Sequence, residues 1–195
     1  MSKVLIIGGG AAGMMAGIMA ARNGHTVTIF EKNEKLGKKL FITGKGRCNL
    51  TNAGDNEDLL NSIVSNKKFM YSAFSGFSNY DTMGFFGELG VDIKVERGNR
   101  VFPESDHSSD IIGALSHEMK RLNVDVEFDT EVTEIHSKDG AFSGVTIQTI
   151  SGQKKHIAGD SLIIATGGNS YQSTGSTGDG YRFAKSMGHT VTPIL

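Results

Sequence analysis

This sequence predicts an α/β fold with a parallel central sheet and an antiparallel β excursion, on the strength of three features. The first is an apolar, β-branched run from Lys3 to Ile7 that passes through glycines into an Ala/Met-rich stretch and returns to a second such run at Thr26 to Phe30. The second is another apolar run, Ser161 to Ala165, closed by glycines. The third is a block of β-rich segments between Val124 and Ala158 that carries hairpin turns. Continuous apolar runs suit strands buried on both faces of a parallel sheet, whereas alternation marks strands with one wet face.

Taken in order, Lys3 to Ile7 reads as a buried strand, Ala11 to Asn23 as a helix stopped by Gly24, and Thr26 to Phe30 as a strand bounded by Glu31. A strand, a crossover helix and a strand make a βαβ unit, so the two strands lie parallel and adjacent. Residues 32–54 hold Gly37, Gly44, Gly46 and Gly54, which break any period and leave an ordered loop with at most a short helix. Helical spacing resumes over Asp58 to Ser65, Phe69 to Phe77 and Tyr80 to Leu89. Val91 to Glu96 and Asn99 to Phe102 read as a pair of short strands. Asp110 to Leu122 reads as a further helix, capped by Asp106, Ser108 or Ser109. From Val124 to Ile164 the segments VDVEF, VTEIHS, FSGVTIQTI, KKHIA and SLIIA follow one another, with Asp139-Gly140 and Ser151-Gly152 as turns. We read this stretch, about 124–160, as an antiparallel excursion that rejoins the parallel sheet at Ser161 to Ala165. A last helix, Gly180 to Met187, begins after Asp179 as its N-cap.

Composition narrows the function. Twenty-six glycines in 195 residues is nearly twice the usual ~7%, so many tight backbone positions are needed. A net charge of -1 gives no global field for nucleic acid or an anionic membrane. Val4 to Ala21 carries no charge over eighteen residues, but its five glycines divide it into strand, turn and helix, and we reject a membrane span. The single cysteine, Cys48, excludes an internal disulfide and a CxxC pair and fits the cytoplasm. The six histidines show no metal-ligand spacing, and no GxSxG or Ser-His-Asp arrangement supports hydrolysis.

Chemistry concentrates at Gly8-Gly9-Gly10-Ala11-Ala12-Gly13, a G-x-G-x-x-G between a strand and a helix, with Glu31 eighteen residues past Gly13 at the end of the second strand. Gly8 permits the turn, Gly10 lets backbone approach a pyrophosphate, and Gly13 lets helix and strand pack closely. The helix N-terminus supplies amides and a partial positive charge. Glu31 accepts from ribose hydroxyls and repels a 2′-phosphate, which favours FAD or NAD over NADP. Residues 32–47 then carry Lys32, Lys35, Lys38, Lys39, Lys45 and Arg47 against Glu34. Lys35 and Lys38 read as a solvated face, whereas Lys45 and Arg47 sit among glycines where they can donate to phosphate or flavin oxygens. Thr166 and the glycines of Ala165-Thr166-Gly167-Gly168 end a strand abruptly at the carboxyl edge of the sheet, where ligands bind in doubly wound folds.

The segments GGGAAGMMAG, EKNEKLGKKLFITGKGRCNLTN, GNRVFPES and ATGGNSYQSTGSTGDGYRFAKSMGH resemble the YhiN/BaiN-like flavoproteins, also called the aminoacetone oxidase family, with GKGRCNLTN the most specific part. The resemblance implies a glutathione-reductase-type FAD-binding domain over residues 1–190, of which this is the N-terminal part, with 191–195 as the start of an inserted domain. It implies that Gly8, Gly10, Ala12 and Gly13 hold the pyrophosphate, Glu31 the ribose, Lys32 and Lys39 the adenosine side, and Gly46, Arg47, Cys48 and Asn49 the flavin side. Val132 matches the position whose backbone meets the adenine, and Ala165, Thr166 and Gly167 the turn that packs over the same cofactor. Gln172 stands where relatives commonly have proline, which implies a looser loop from Gly168 to Gly175. The expectation is an FAD-dependent oxidoreductase that moves hydride between flavin and NAD(P)H or a small organic substrate, without nucleic-acid or membrane partners. The rivals are a fumarate-reductase-type flavoprotein, an NAD-binding dehydrogenase and a non-catalytic nucleotide-binding module. Cys48 reads as packing or backbone, since one thiol cannot run a dithiol cycle.

Overall fold

The computed structural model describes residues 1–194. In chain order the elements are β1 (Lys3–Ile7), α1 (Ala11–Arg22), β2 (Thr26–Phe30), α2 (Lys38–Ile42), β3 (Thr51–Asn52), α3 (Asn56–Asn61), α4 (Tyr71–Gly76), α5 (Asn79–Glu88), β4 (Ile93–Glu96), β5 (Arg100–Pro103) and α6 (Ser108–Arg121). They continue with β6 (Asp125–Glu127), β7 (Thr130–Lys138), β8 (Ala141–Thr149), β9 (Lys154–Ala158), β10 (Ser161–Ile164) and α7 (Asp179–Ser186). The chain divides into two compact units, Met1–Lys39 with Leu115–Leu195, and Leu40–Ala114.

The first unit is built on a four-stranded parallel sheet in the order β10-β1-β2-β6. In β1, Leu5 and Ile6 have no exposed surface, as a strand covered on both faces requires. A three-stranded antiparallel sheet, β7-β8-β9, carries Val132, Val145 and Ile147 into one apolar cluster with Leu5, Ile7, Phe30 and Phe183 of α7. Asp139 and Gly140 both adopt positive φ (54° and 79°), the geometry of a tight hairpin whose twist matches its strands. Glu118 of α6 is buried, and accepts from Arg22 Nη2 at 2.6 Å and Arg121 Nε at 2.7 Å. Hydrogen bonds from Arg121 and then Arg22, opposed by burial, hold its carboxyl at about 2.

The second unit contains α3, α4, α5 and the antiparallel sheet β3-β5-β4. Phe85, Phe86, Val101, Phe102 and Ile111 are among its buried apolar residues. Ser78 and Asp81 close a reciprocal capping box at the start of α5, as their spacing of three dictates.

Three expectations are corrected. The segment VDVEF is not part of the antiparallel excursion: β6 pairs in parallel with β2, Thr28 opposite Asp125. Only three residues form that strand, too few for a period to reveal its partner. Asp106 and Ser108 direct their side chains away from the N-terminus of α6, to Lys94 Nζ at 2.7 Å and the Phe41 carbonyl at 2.8 Å. Asp179 is not the N-cap of α7; Gly178, at φ 80°, takes that position. The loop 32–54, expected to hold at most a short helix, contains α2, a 3₁₀ turn at Thr43–Gly46 and the strand Thr51–Asn52, which adds a third strand to the sheet of β4 and β5. The expectation that residues 191–195 begin another domain reaches Leu195, which lies outside the described residues. Among the described residues no helix is long and apolar enough to cross a membrane.

Candidate functional site

In the first unit, the ladder between β1 and β2 runs to Ile7 opposite Phe30 and is extended when Gly8 N donates to Phe30 O at 2.9 Å. The chain then turns sharply, with Gly8 at φ 103°. A Cβ on Gly8 would stand 2.6 Å from the Ala165 carbonyl oxygen, and one on Gly13 would fall on the Gly8 carbonyl oxygen. Only glycine permits both approaches. The space beyond Gly10 is different: a Cβ there would meet nothing within 4 Å. Gly10 is the N-cap of α1, makes no side-chain cap, and no acidic residue occupies the first turn. The amides of Ala11, Ala12 and Gly13 have no acceptor within the helix and sit at the positive end of its dipole, a ready anion site.

Glu31 lies just beyond β2 and is 6% exposed. Its Oε2 accepts from Gly9 N at 2.6 Å, and its Oε1 from Asn33 N at 2.8 Å and Asn33 Nδ2 at 2.6 Å. Three N–H donors thus fix the carboxylate against the glycine turn and leave about one of its four lone-pair sites for a ligand hydroxyl. The sequence reading missed Asn33; its signal was an amide side chain two residues after the acid, close enough to donate to that carboxylate.

The two lysines assigned to the adenosine side make intramolecular bonds. Lys32 Nζ donates to Thr177 Oγ1 at 2.7 Å and Asp179 Oδ2 at 2.8 Å, and Lys39 Nζ to the Ser170 carbonyl at 2.6 Å. Burial opposes ionisation of Asp179, but hydrogen bonds from Lys32 and Thr177 outweigh it and hold the carboxyl below its usual range. Val132 is buried in the apolar cluster and pairs with Ile147 in the β7–β8 ladder. Ala165 N donates to Ile7 O at 2.8 Å, and Gly167, at φ 74°, presses on Ser176, 2.7 Å from where a Cβ would stand. A cavity of about 460 Å³ opens here, lined among others by Lys32, Asn33, Glu131, Gln148, Gln172 and Gly175.

Gly46, Arg47, Cys48 and Asn49 belong to the second unit. Gly44, Lys45, Gly46 and Cys48 all take positive φ, between 57° and 87°. Arg47 is bidentate on Glu96 (2.9 and 3.1 Å), reaches Asp106 at 3.0 Å, and lies 3.9 Å over the Phe102 ring. The hydrogen bond to Glu96 is the main cause that raises its pKa. Cys48 has no exposed surface, and burial pushes its thiol up, away from the reactive thiolate. Asn49 is exposed.

The model of the HI0933-like protein Rossmann domain matches residues 2–194, and it is the family whose motifs this sequence carries. The 3-dehydro-bile acid delta(4,6)-reductase of Clostridium scindens is 34% identical over 197 residues, covering 100% of this chain and 46% of its own length. The ribosomal RNA dihydrouridine synthase of Haemophilus influenzae is 28% identical, covering 98% of this chain and 47% of its own. The chain thus spans about half the length of the curated relatives it matches. The 3-ketosteroid-delta4-(5alpha)-dehydrogenase of Rhodococcus jostii RHA1 superposes with a TM-score of 0.67 at 15% identity, over 85% of this chain and 46% of that one, a likeness of fold.

Proposed function

The chain belongs to the HI0933-like family of Rossmann domains, and on that premise we propose that it is the dinucleotide-binding portion of an FAD-dependent oxidoreductase. The observation that carries this reading is the uncapped N-terminus of α1 above a glycine turn, with a buried carboxylate fixed beside it. The residues fit FAD: the space beside Gly10 is open, the first amides of α1 have no acceptor within the helix to compete with a diphosphate, and Glu31 keeps acceptor capacity for a ribose hydroxyl. The neighbouring cavity takes the adenosine end, walled by Lys32 and Asn33. When bound, FAD supplies hydride transfer. The protein's own part is to orient the dinucleotide, exclude a 2′-phosphate at Glu31 and shield the adenosine end from water.

NAD(P)H is the proposed electron donor. The names of the two relatives describe reductions of a carbon–carbon double bond conjugated with a carbonyl, in a 3-oxo-Δ4,6 steroid and in uracil. We extend that bond type to the substrate here, and favour a small molecule because the net charge of -1 attracts no polyanion. The reducing cytoplasm suits a lone buried Cys48.

The test is direct. Purified protein is expected to be yellow, to release FAD on denaturation, and to bleach anaerobically with NADH or NADPH. Colourless protein that binds NAD but no FAD overturns the reading.

A further inference from the structure

The stretch between β10 and α7, residues 165–178, has little regular structure of its own: one short turn of 3₁₀ helix at Gln172–Thr174. Tyr171, Gly175 and Gly178 all take positive φ within it. Beyond Ala165, whose N donates to Ile7 O, the segment that follows Glu31 ties it down over distance. Lys39 Nζ holds the Ser170 carbonyl at 2.6 Å, Asn33 Nδ2 the Thr174 carbonyl at 3.3 Å, and Lys32 Nζ both Thr177 Oγ1 and Asp179 Oδ2. Thr177 Oγ1 also donates to Asp179 Oδ2 at 2.7 Å, so cation, hydroxyl and carboxylate form a closed triangle. Asn33 is the residue whose amides lock Glu31, so the ribose carboxylate and this loop share one anchor. Gln172, Ser173, Gly175 and Thr177 form one wall of the 460 Å³ cavity, and Lys32 and Asn33 stand beside them.

We propose that Lys32 and Asp179 are positioning residues, an ionic latch that holds the loop 169–178 as a wall of the adenosine cavity and so sets how long a dinucleotide stays. This rests on the function proposed above and adds to it: Lys32 acts through Asp179, not on the ligand. A lysine that touched phosphate or adenine would bind better once its carboxylate partner was removed. A latching lysine binds no better, because the wall is lost with either partner. The pair is half-buried, with side-chain exposures of 29% and 21%, so salt reaches it and weakens it.

The experiment compares the unmodified protein with Lys32→Met, Asp179→Asn and the double variant. Flavin fluorescence follows FAD release from each loaded protein, and limited proteolysis follows cleavage within 169–178 in FAD-free protein. The latch predicts that each single variant releases FAD about fivefold faster, that the double variant is no faster than either, and that high salt accelerates only the unmodified protein. It also predicts faster loop cleavage in all three variants. Slower release from Asp179→Asn, or equal cleavage of the loop in every form, overturns it. If no form binds FAD, the proposed function fails, while the cleavage rates still report on the latch.

Discussion

Two glycine-rich loops, Gly8 to Gly13 in the first unit and Gly44 to Asn49 in the second, carry the strongest ligand signals in the sequence, and they end in opposite states. In the first the donors are main-chain amides, and the fold leaves them open: α1 starts without a side-chain cap or an acidic residue in its first turn. In the second the conspicuous donor is the Arg47 guanidinium, and it is engaged by Glu96, Asp106 and the Phe102 ring. The difference is one of tether. An amide points where φ and ψ aim it and cannot turn away, whereas a guanidinium on a flexible stem settles on the nearest carboxylates. Glycine motifs are therefore better guides to an open site than cationic side chains in the same neighbourhood.

The largest effect should come from closing the first loop. Gly13→Val puts a side chain on the Gly8 carbonyl oxygen, and should cost about 3 kcal/mol in urea unfolding and abolish FAD binding; a variant that keeps both would break the contrast drawn here. Next come the buried and half-exposed ionic clusters. Glu118→Gln, between Arg22 and Arg121, should cost about 2 kcal/mol. Because the folded carboxyl lies at about 2, below its unfolded value of 4.5, its contribution is complete above pH 4.5 and fades as pH falls toward 2. The unmodified protein should show this acid limb and the Gln variant should lack it. Gly46→Ala is a milder counterpart of Gly13→Val: its Cβ meets nothing, so only the left-handed backbone at φ 87° is penalised, by about 1 kcal/mol. Smallest is Glu96→Gln, which should lower Tm by a few degrees at low salt and hardly at all at high salt. A salt-independent loss would mean that Arg47 works mainly through its stacking on Phe102.

The strands β1, β2 and β10 and the hairpin turn at Asp139-Gly140 are legible in the sequence because apolar runs, acids at strand ends and Asp-Gly pairs act over a few residues. The partner of β6, the third strand beside β4 and β5, and the cap of α7 are not, since each depends on residues distant along the chain. The candidate site divides in the same way. The turn at Gly8, the close approach at Gly13 and the carboxylate of Glu31 against Gly9 follow from the motif; Lys32 and Lys39 do not advertise that they reach across 131 residues or more to Ser170, Thr177 and Asp179.

What the sequence determined by itself is the strand, turn and helix at the amino end, with glycines where a Cβ cannot fit and a carboxylate at the next strand's edge. These follow from local sterics and hydrophobic period, which need no knowledge of the rest of the chain. What tertiary structure alone decided is which charges remain available to a ligand. The pairs that decide it, Lys32 with Asp179 and Arg47 with Glu96 and Asp106, join groups 49 to 147 residues apart that only folding brings within about 3 Å, and no local spacing encodes them.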